Sequence, residues 1–267
     1  MQFRSRARGV LAVVALALGV AVAAAPAHAD PLPTVVLVHG AFADTTSWDG
    51  VAAKLRDDGY QVVVPDNPLR GPAFDAAAVQ RTLDTISGPV VLVGHSYGGT
   101  VITQIHDPKV ESLVYVAAFA PVQGEVALQA LDPLRFPGSQ LLPPALLVRV
   151  VDDPHGIAGH NLDGYVAPDL FNSVFAQDVS PATAADMIAH QHSLAVTANI
   201  EPSAAPAWAN TPSWYIVSAQ DHVIPPASQR FMASRMSAHT SELDASHASL
   251  VSHPLEVAAV VESAAGH

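Results

Sequence analysis

The chain has 267 residues, of which 50% are apolar and 13% charged, and its 24 acidic residues outnumber 12 basic ones for a formal net charge of −12. That length suits one α/β domain with a sizeable buried core, and the acidic balance disfavours nucleic acid or an anionic membrane surface as a partner. Cysteine is absent, which excludes disulfides, thiolate chemistry and cysteine-based zinc sites.

Residues 1–29 read as a cleaved signal peptide. Arg4, Arg6 and Arg8 form a positive start, Val10 to Ala25 is apolar apart from Gly19, and Ala27-His28-Ala29 is a small-x-small cleavage site before Asp30. The apolar run is short for a membrane span, and no arginine pair marks twin-arginine export. The expectation is a secreted or periplasmic protein with no stable membrane association once the leader is gone. Loss of the three arginines takes the formal charge from −12 to −15.

From residue 30 onward, short Val-rich runs alternate with helix-like stretches. Thr34–Val38, Gln61–Pro65, Pro89–Val93, Glu111–Ala117, Ser213–Ser218 and Thr240–Leu243 read as strands covered on both faces. Ser47–Asp58, Phe74–Ile86, Tyr97–His106, Ala227–Ser237 and Pro254–Ser263 read as helices, with Pro226 and Pro254 where a first turn tolerates proline. The alternation predicts a mostly parallel sheet of about six strands with helices on both faces. It breaks between about 120 and 211, a proline-rich stretch that reads as an inserted, mostly helical cap; further sheet-and-helix repeats are the alternative. Within it, Ser180-Pro181 opens a helix.

Gly94-His95-Ser96-Tyr97-Gly98 matches G-x-S-x-G, follows the strand Val90–Val93 and precedes a helical pattern. A serine at such a strand-to-helix turn projects its hydroxyl above the sheet, which makes Ser96 the candidate nucleophile. His39-Gly40-Ala41-Phe42 ends the first strand. A backbone N–H from this loop, Ala41 first and Phe42 second, would pair with that of Tyr97 as an oxyanion hole. A serine needs a base and an orienting acid. His247 follows the last strand and is the candidate base, ahead of His253. Asp221 sits at the end of the strand Ser213–Ser218 and is the candidate acid, ahead of Asp244. His155 and His160 near Asp152, Asp153 and Asp163, and the pair His190 and His192, match no strong zinc signature and read as cap surface or pocket lining.

With these motifs in place, the sequence resembles the α/β-hydrolase superfamily, and within it the small esterases related to plant methyl-ester esterases and hydroxynitrile lyases. The resemblance rests on His39–Phe42, Gly94–Gly99, Asp221–Pro225 and Ser246-His247-Ala248 through His253-Pro254. It implies an α/β-hydrolase fold with a six-stranded core and a helical cap, the triad Ser96, Asp221 and His247, a small-molecule ester as substrate, and no metal or organic cofactor. Hydroxynitrile lyases of this group carry threonine where this chain has Gly40 and lysine where it has Ala248, so both positions resemble esterases. Lyase, perhydrolase or amidase chemistry on the same triad, or a ligand-binding receptor, are the alternatives.

Overall fold

The protein is described by a computed structural model over residues 32–266; the leader expected at 1–29 lies outside the described residues. In chain order the main elements are β1 (Thr34–Val38), α1 (Asp49–Asp57), β2 (Val62–Val63), α2 (Pro72–Leu83), β3 (Val90–His95), α3 (Tyr97–Thr103) and β4 (Val110–Val116). Then come β5 (Leu146–Ile157), β6 (His160–Val166), α4 (Pro168–Phe175), α5 (Pro181–Ala189) and β7 (Leu194–Ala195). The chain closes with β8 (Ser213–Ser218), α6 (Pro226–Arg235), β9 (His239–Leu243), α7 (Ser249–Ser252) and α8 (Pro254–Ala265).

Six strands form one sheet in the order β2-β1-β3-β4-β8-β9, and every neighbouring pair is parallel. The central strands are apolar on both faces because both faces are covered. Val35 and Leu37 of β1 face Trp48, Val51 and Leu55 on one side together with Val257 and Val261 of α8. Val36 and Val38 face the opposite way, into a core with Val79 and Leu83 of α2, Val101 and Ile102 of α3 and Met232 of α6. The period-two alternation of each strand thus feeds two separate apolar layers.

The six expected strands and five expected helices all form, with ends shifted by a few residues. The inserted segment differs from its expected helical character. It holds α4 and α5, but also a three-stranded antiparallel sheet in the order β5-β6-β7. Strand β5 is hard to read because Val148, Arg149 and Val150 are all exposed, so its sequence lacks the in-out alternation that marks a half-buried strand. The start of α5 is as expected: Ser180 caps it, its Oγ accepting the Thr183 N–H at 3.1 Å.

Two arginines fasten this segment to the sheet. Arg235 of α6 donates to Glu125 Oε2 and to the Ala120 carbonyl, both at 2.7 Å, where the segment begins. Arg70, in the loop after β2, reaches into the hairpin and donates to Asp163 at 2.7 and 3.0 Å, to Asp153 at 3.0 Å and to the Ser193 carbonyl at 3.0 Å. The carboxylates of Asp153 and Asp163 are almost wholly buried. Taking the cation from such a pair leaves buried charge unpaired, which costs about 3–5 kcal/mol. Arg70→Met is therefore expected to lower the urea midpoint by a stability loss in that range with the m-value unchanged, read by circular dichroism.

Candidate active site

Strand β3 ends at His95, and the chain turns at once into α3. Ser96 occupies this turn with φ +53° and ψ −122°, a conformation that non-glycine residues rarely adopt and that the surroundings must enforce. The turn is possible because the neighbouring residue Gly98 has no side chain: a Cβ there would lie 2.6 Å from the Val38 carbonyl oxygen of β1. Gly40 answers a similar constraint from the loop after β1, where a Cβ would sit 2.7 Å from Ser96 Cβ and 2.8 Å from the His95 carbonyl.

The structure brings Ser96, His247 and Asp221 together. His247 Nε2 lies 2.8 Å from Ser96 Oγ, and its Nδ1 lies 2.7 Å from Asp221 Oδ2. A carboxylate only accepts, so Nδ1–H donates to Asp221 and Nε2 is left to accept the Ser96 hydroxyl. His247 and Asp221 come from the loops after β9 and β8, and both are buried. The Asp221 carboxylate is held by three further donors: the N–H groups of Val223 at 2.7 Å and Ile224 at 2.9 Å, and the Gln229 amide at 2.7 Å. Asp244, the competing acid, is exposed and takes a hydrogen bond from Gln220 at 2.8 Å. His253 pairs with Ser252 Oγ at 2.8 Å just ahead of α8, away from the serine.

Ala41 and Tyr97 line one cavity with Ser96. The Tyr97 N–H is the first of α3, where helical N–H groups have no partner within the helix. Neither it nor the Ala41 N–H meets an acceptor among the described residues. Phe42, the second candidate, is committed elsewhere: its N–H donates to the His192 carbonyl at 2.9 Å. The histidines of the inserted segment stay apart from the serine. His160 pairs with Asp152 at the surface, and Asp153 and Asp163 are engaged by Arg70. No group of three His, Asp or Glu among the described residues could hold a metal ion.

Several positioning residues escaped the sequence reading. His95, the variable residue before the serine, is fully buried and donates from Nε2 to the His247 carbonyl at 2.9 Å. Burial first, then the neighbouring His247, push its imidazole well below the usual value, so it is neutral. Gln229 bridges Asp221 to the end of β8, accepting the Ser218 N–H at 3.0 Å. Its signal was a polar residue on the same face of α6 as the buried Met232 and Ala233. Asp178 accepts from the Ser246 N–H and the Ser252 hydroxyl, both at 2.8 Å, and so ties down the loop that carries His247. His39 is a loop fastener: its Nε2 accepts the Asn67 N–H at 3.0 Å, and the Asn67 amide donates to the His39 carbonyl at 2.9 Å.

Above Ser96 is a cavity of about 70 Å³. The inserted segment contributes Leu128, Leu131, Leu141, Leu146 and Leu194 to its wall, together with Asn199. From below, Tyr97 is fixed at its far end: its hydroxyl donates to Asp75 Oδ2 at 2.7 Å, and Asp75 also accepts the Arg70 N–H at 3.1 Å. Burial raises Asp75 above the ordinary carboxylate value, and burial beside Asp75 raises the Tyr97 phenol further still from its own.

Comparison with known proteins places the fold. A carbendazim hydrolyzing esterase of Nocardioides sp. (strain SG-4G) is 36% identical over 157 residues, which span 52% of this chain and 62% of that protein. A pyrethroid hydrolase of Sphingobium wenxiniae is 27% identical over 248 residues, 85% of each chain. Among solved structures, a methylesterase from Arabidopsis shares the fold with a TM-score of 0.70 at 16% identity, covering 87% of this chain and 98% of the other. The sequence model of the alpha/beta hydrolase family matches residues 35–260, and the chain belongs to that family.

Proposed function

We propose that this α/β hydrolase cleaves carboxylic esters through an acyl-enzyme on Ser96, with His247 as general base and acid and Asp221 as its orienting partner. The observation that carries the reading is the unbroken hydrogen-bond chain from Asp221 through His247 to Ser96, set beside two uncommitted N–H groups. Ser96 Oγ attacks the ester carbonyl while its proton passes to His247 Nε2. The N–H groups of Ala41 and Tyr97 receive the developing oxyanion, and Asp221 stabilises the imidazolium. His247 then gives its proton to the departing alkoxide. A water deprotonated by the same nitrogen attacks the acyl-serine, releasing the acid and restoring the hydroxyl. The family relatives named as esterase and pyrethroid hydrolase support ester bonds as the target.

Two positions weigh against cyanohydrin cleavage. A threonine at Gly40 would collide with Ser96 Cβ and the His95 carbonyl. A lysine at Ala248 would start from a fully buried position. The leader at 1–29 supports action outside the cytoplasm, and N-terminal sequencing of the exported protein should then begin at Asp30.

A fluorophosphonate probe should label the wild type and leave Ser96→Ala unlabelled. Asp221→Asn should lower kcat about 10⁴-fold through the wrong imidazole tautomer, whereas His253→Ala keeps its turnover of p-nitrophenyl acetate. Labelling of Ser96→Ala would overturn the nucleophile. Gly40→Ala displaces the serine, and a shift of about 1 Å in a reacting atom can remove about 10²-fold in rate; that loss is expected with the far-ultraviolet spectrum unchanged.

His95 gives stability a pH dependence. Its native pKa lies below its unfolded value of about 6.5, so below that pH the unfolded chain binds the extra proton and stability falls. His95→Gln, which can still donate to the His247 carbonyl, should lose less stability than wild type as pH falls from about 6.5. Urea titrations at a series of pH values measure the difference.

A further inference from the structure

The cavity above Ser96 is nearly all hydrocarbon. Leucines of the inserted segment form its roof, Phe119 and Val223 its sides, and no carboxylate, amine, guanidinium or imidazole lines it. Apart from Ser96 and the N–H groups of Ala41 and Tyr97, Asn199 is the exception. It ends the 3₁₀ turn Val196–Asn199 that follows β7. The residue before that turn is anchored to the core, the Ala195 N–H donating to the Leu69 carbonyl at 3.0 Å.

The Asn199 amide is uncommitted, as is that of the exposed Asn210, but Asn199 lines the cavity. The side chains of Asn67, Asn161 and Asn172 each donate to a protein oxygen, at 2.9, 3.2 and 2.9 Å. The Asn199 amide has no hydrogen-bond partner among the described residues. Buried and half-buried amides are ordinarily satisfied within the fold. A free donor and a free acceptor in the wall of an apolar cavity are satisfied by what enters it.

We propose that Asn199 is a specificity-determining residue that hydrogen-bonds an uncharged oxygen function, a hydroxyl or keto group, on the small branch of the substrate that occupies the cavity. The inference rests on ester hydrolysis at Ser96 and names the class of ester. The leucines enclose a cavity of about 70 Å³, room for a small branch, since on this measure about 10–15 Å³ holds one water. The absence of charged lining excludes a carboxylate or ammonium on that branch, because an unpaired ion there would be desolvated without compensation. A plain alkyl branch fits the leucines but leaves the amide unpaired, and sites built to hydrogen-bond a substrate group discriminate against the analogue that lacks it.

The test compares two matched ester pairs by pH-stat. Ethyl 3-hydroxybutyrate against ethyl butyrate places the hydroxyl on the acyl side, and 2-hydroxyethyl acetate against propyl acetate places it on the alcohol side. In one pair, wild type should favour the hydroxylated ester about tenfold in kcat/KM, the order of one hydrogen bond. Asn199→Leu should erase that preference, mainly through KM. Asn199→Ala, which adds no bulk to the turn, should do the same and guards against misfolding of the larger variant; thermal melts check both. Equal effects on both members of each pair, or no preference in wild type, would overturn the role of Asn199. Fluorophosphonate labelling separates the two levels: a labelled serine without discrimination removes only Asn199, while an unlabelled protein that turns over none of the four esters removes the ester-hydrolase reading and this one with it.

Discussion

The strand-to-helix turn at Ser96 is the constraint around which the rest of the site is arranged. A positive φ at a serine is unfavourable by itself, of the order of 1–3 kcal/mol, and survives only where neighbours over-determine it. Here the neighbours are backbone. The Ser96 N–H donates to Val116 of β4, and its carbonyl accepts from Gly99 and Phe119. Gly98 lies against the Val38 carbonyl of β1, and Gly40 against Ser96 itself. The absence of side chains at these glycines is what lets β1, β3 and α3 converge on one residue. The same convergence leaves the Tyr97 N–H at the open end of α3 and brings the Ala41 N–H into the same cavity.

Polar networks then fix the groups that face the serine. Asp221 accepts four hydrogen bonds, one of them from His247, so the carboxylate has one orientation and the imidazole one tautomer. His95 holds the same histidine from its backbone side. Tyr97 is held at both ends: its backbone belongs to the turn, and its hydroxyl reaches Asp75, which also receives the Arg70 N–H. Through its guanidinium, Arg70 continues to Asp153 and Asp163 of the β5–β6 hairpin. One loop residue thus connects the first turn of the nucleophile's helix to the roof of the cavity through buried, charge-assisted hydrogen bonds, which are stronger than neutral ones.

The parts of this arrangement that were legible in the sequence are those with a local signature. Buried parallel strands are continuous apolar runs, so β1, β3, β4 and β8 stood out, and a G-x-S-x-G between a strand and a helix announces its own backbone. Residues that act through others left weaker traces. Gln229 showed only as a polar residue on an apolar helix face, and His95 and Asp178 carry their meaning in partners 152 and 68 residues away. The antiparallel sheet of the inserted segment was missed because its first strand lacks the in-out alternation of a half-buried strand. Exposed valines beside an exposed arginine in β5 break the pattern from which a strand is read. The choice between Ala41 and Phe42 was also invisible, since it turns on the His192 carbonyl that takes the Phe42 N–H.

That last contact bears on how chemistry and selectivity are divided in the molecule. The candidate nucleophile, base, acid and oxyanion donors all come from turns and loops at the ends of sheet strands, fixed by the parallel core. The leucines and Asn199 come from the inserted segment, whose ties to the core include the Arg70 and Arg235 clamps, the β7 contact to Leu69 and the His192–Phe42 bond. Substitutions among Leu128, Leu131, Leu141, Leu146 and Leu194 therefore reshape the cavity without touching the hydrogen bonds around Ser96. A change that shifts the His192 carbonyl acts differently, because it frees a second N–H beside Ala41 and alters the electrostatics next to the serine. Selectivity and chemistry are separable along the leucines of the roof and coupled where the inserted segment bonds the catalytic loops: at the His192–Phe42 bond, at the Phe175 carbonyl with the Ala248 N–H, and at Asp178 with the Ser246 N–H.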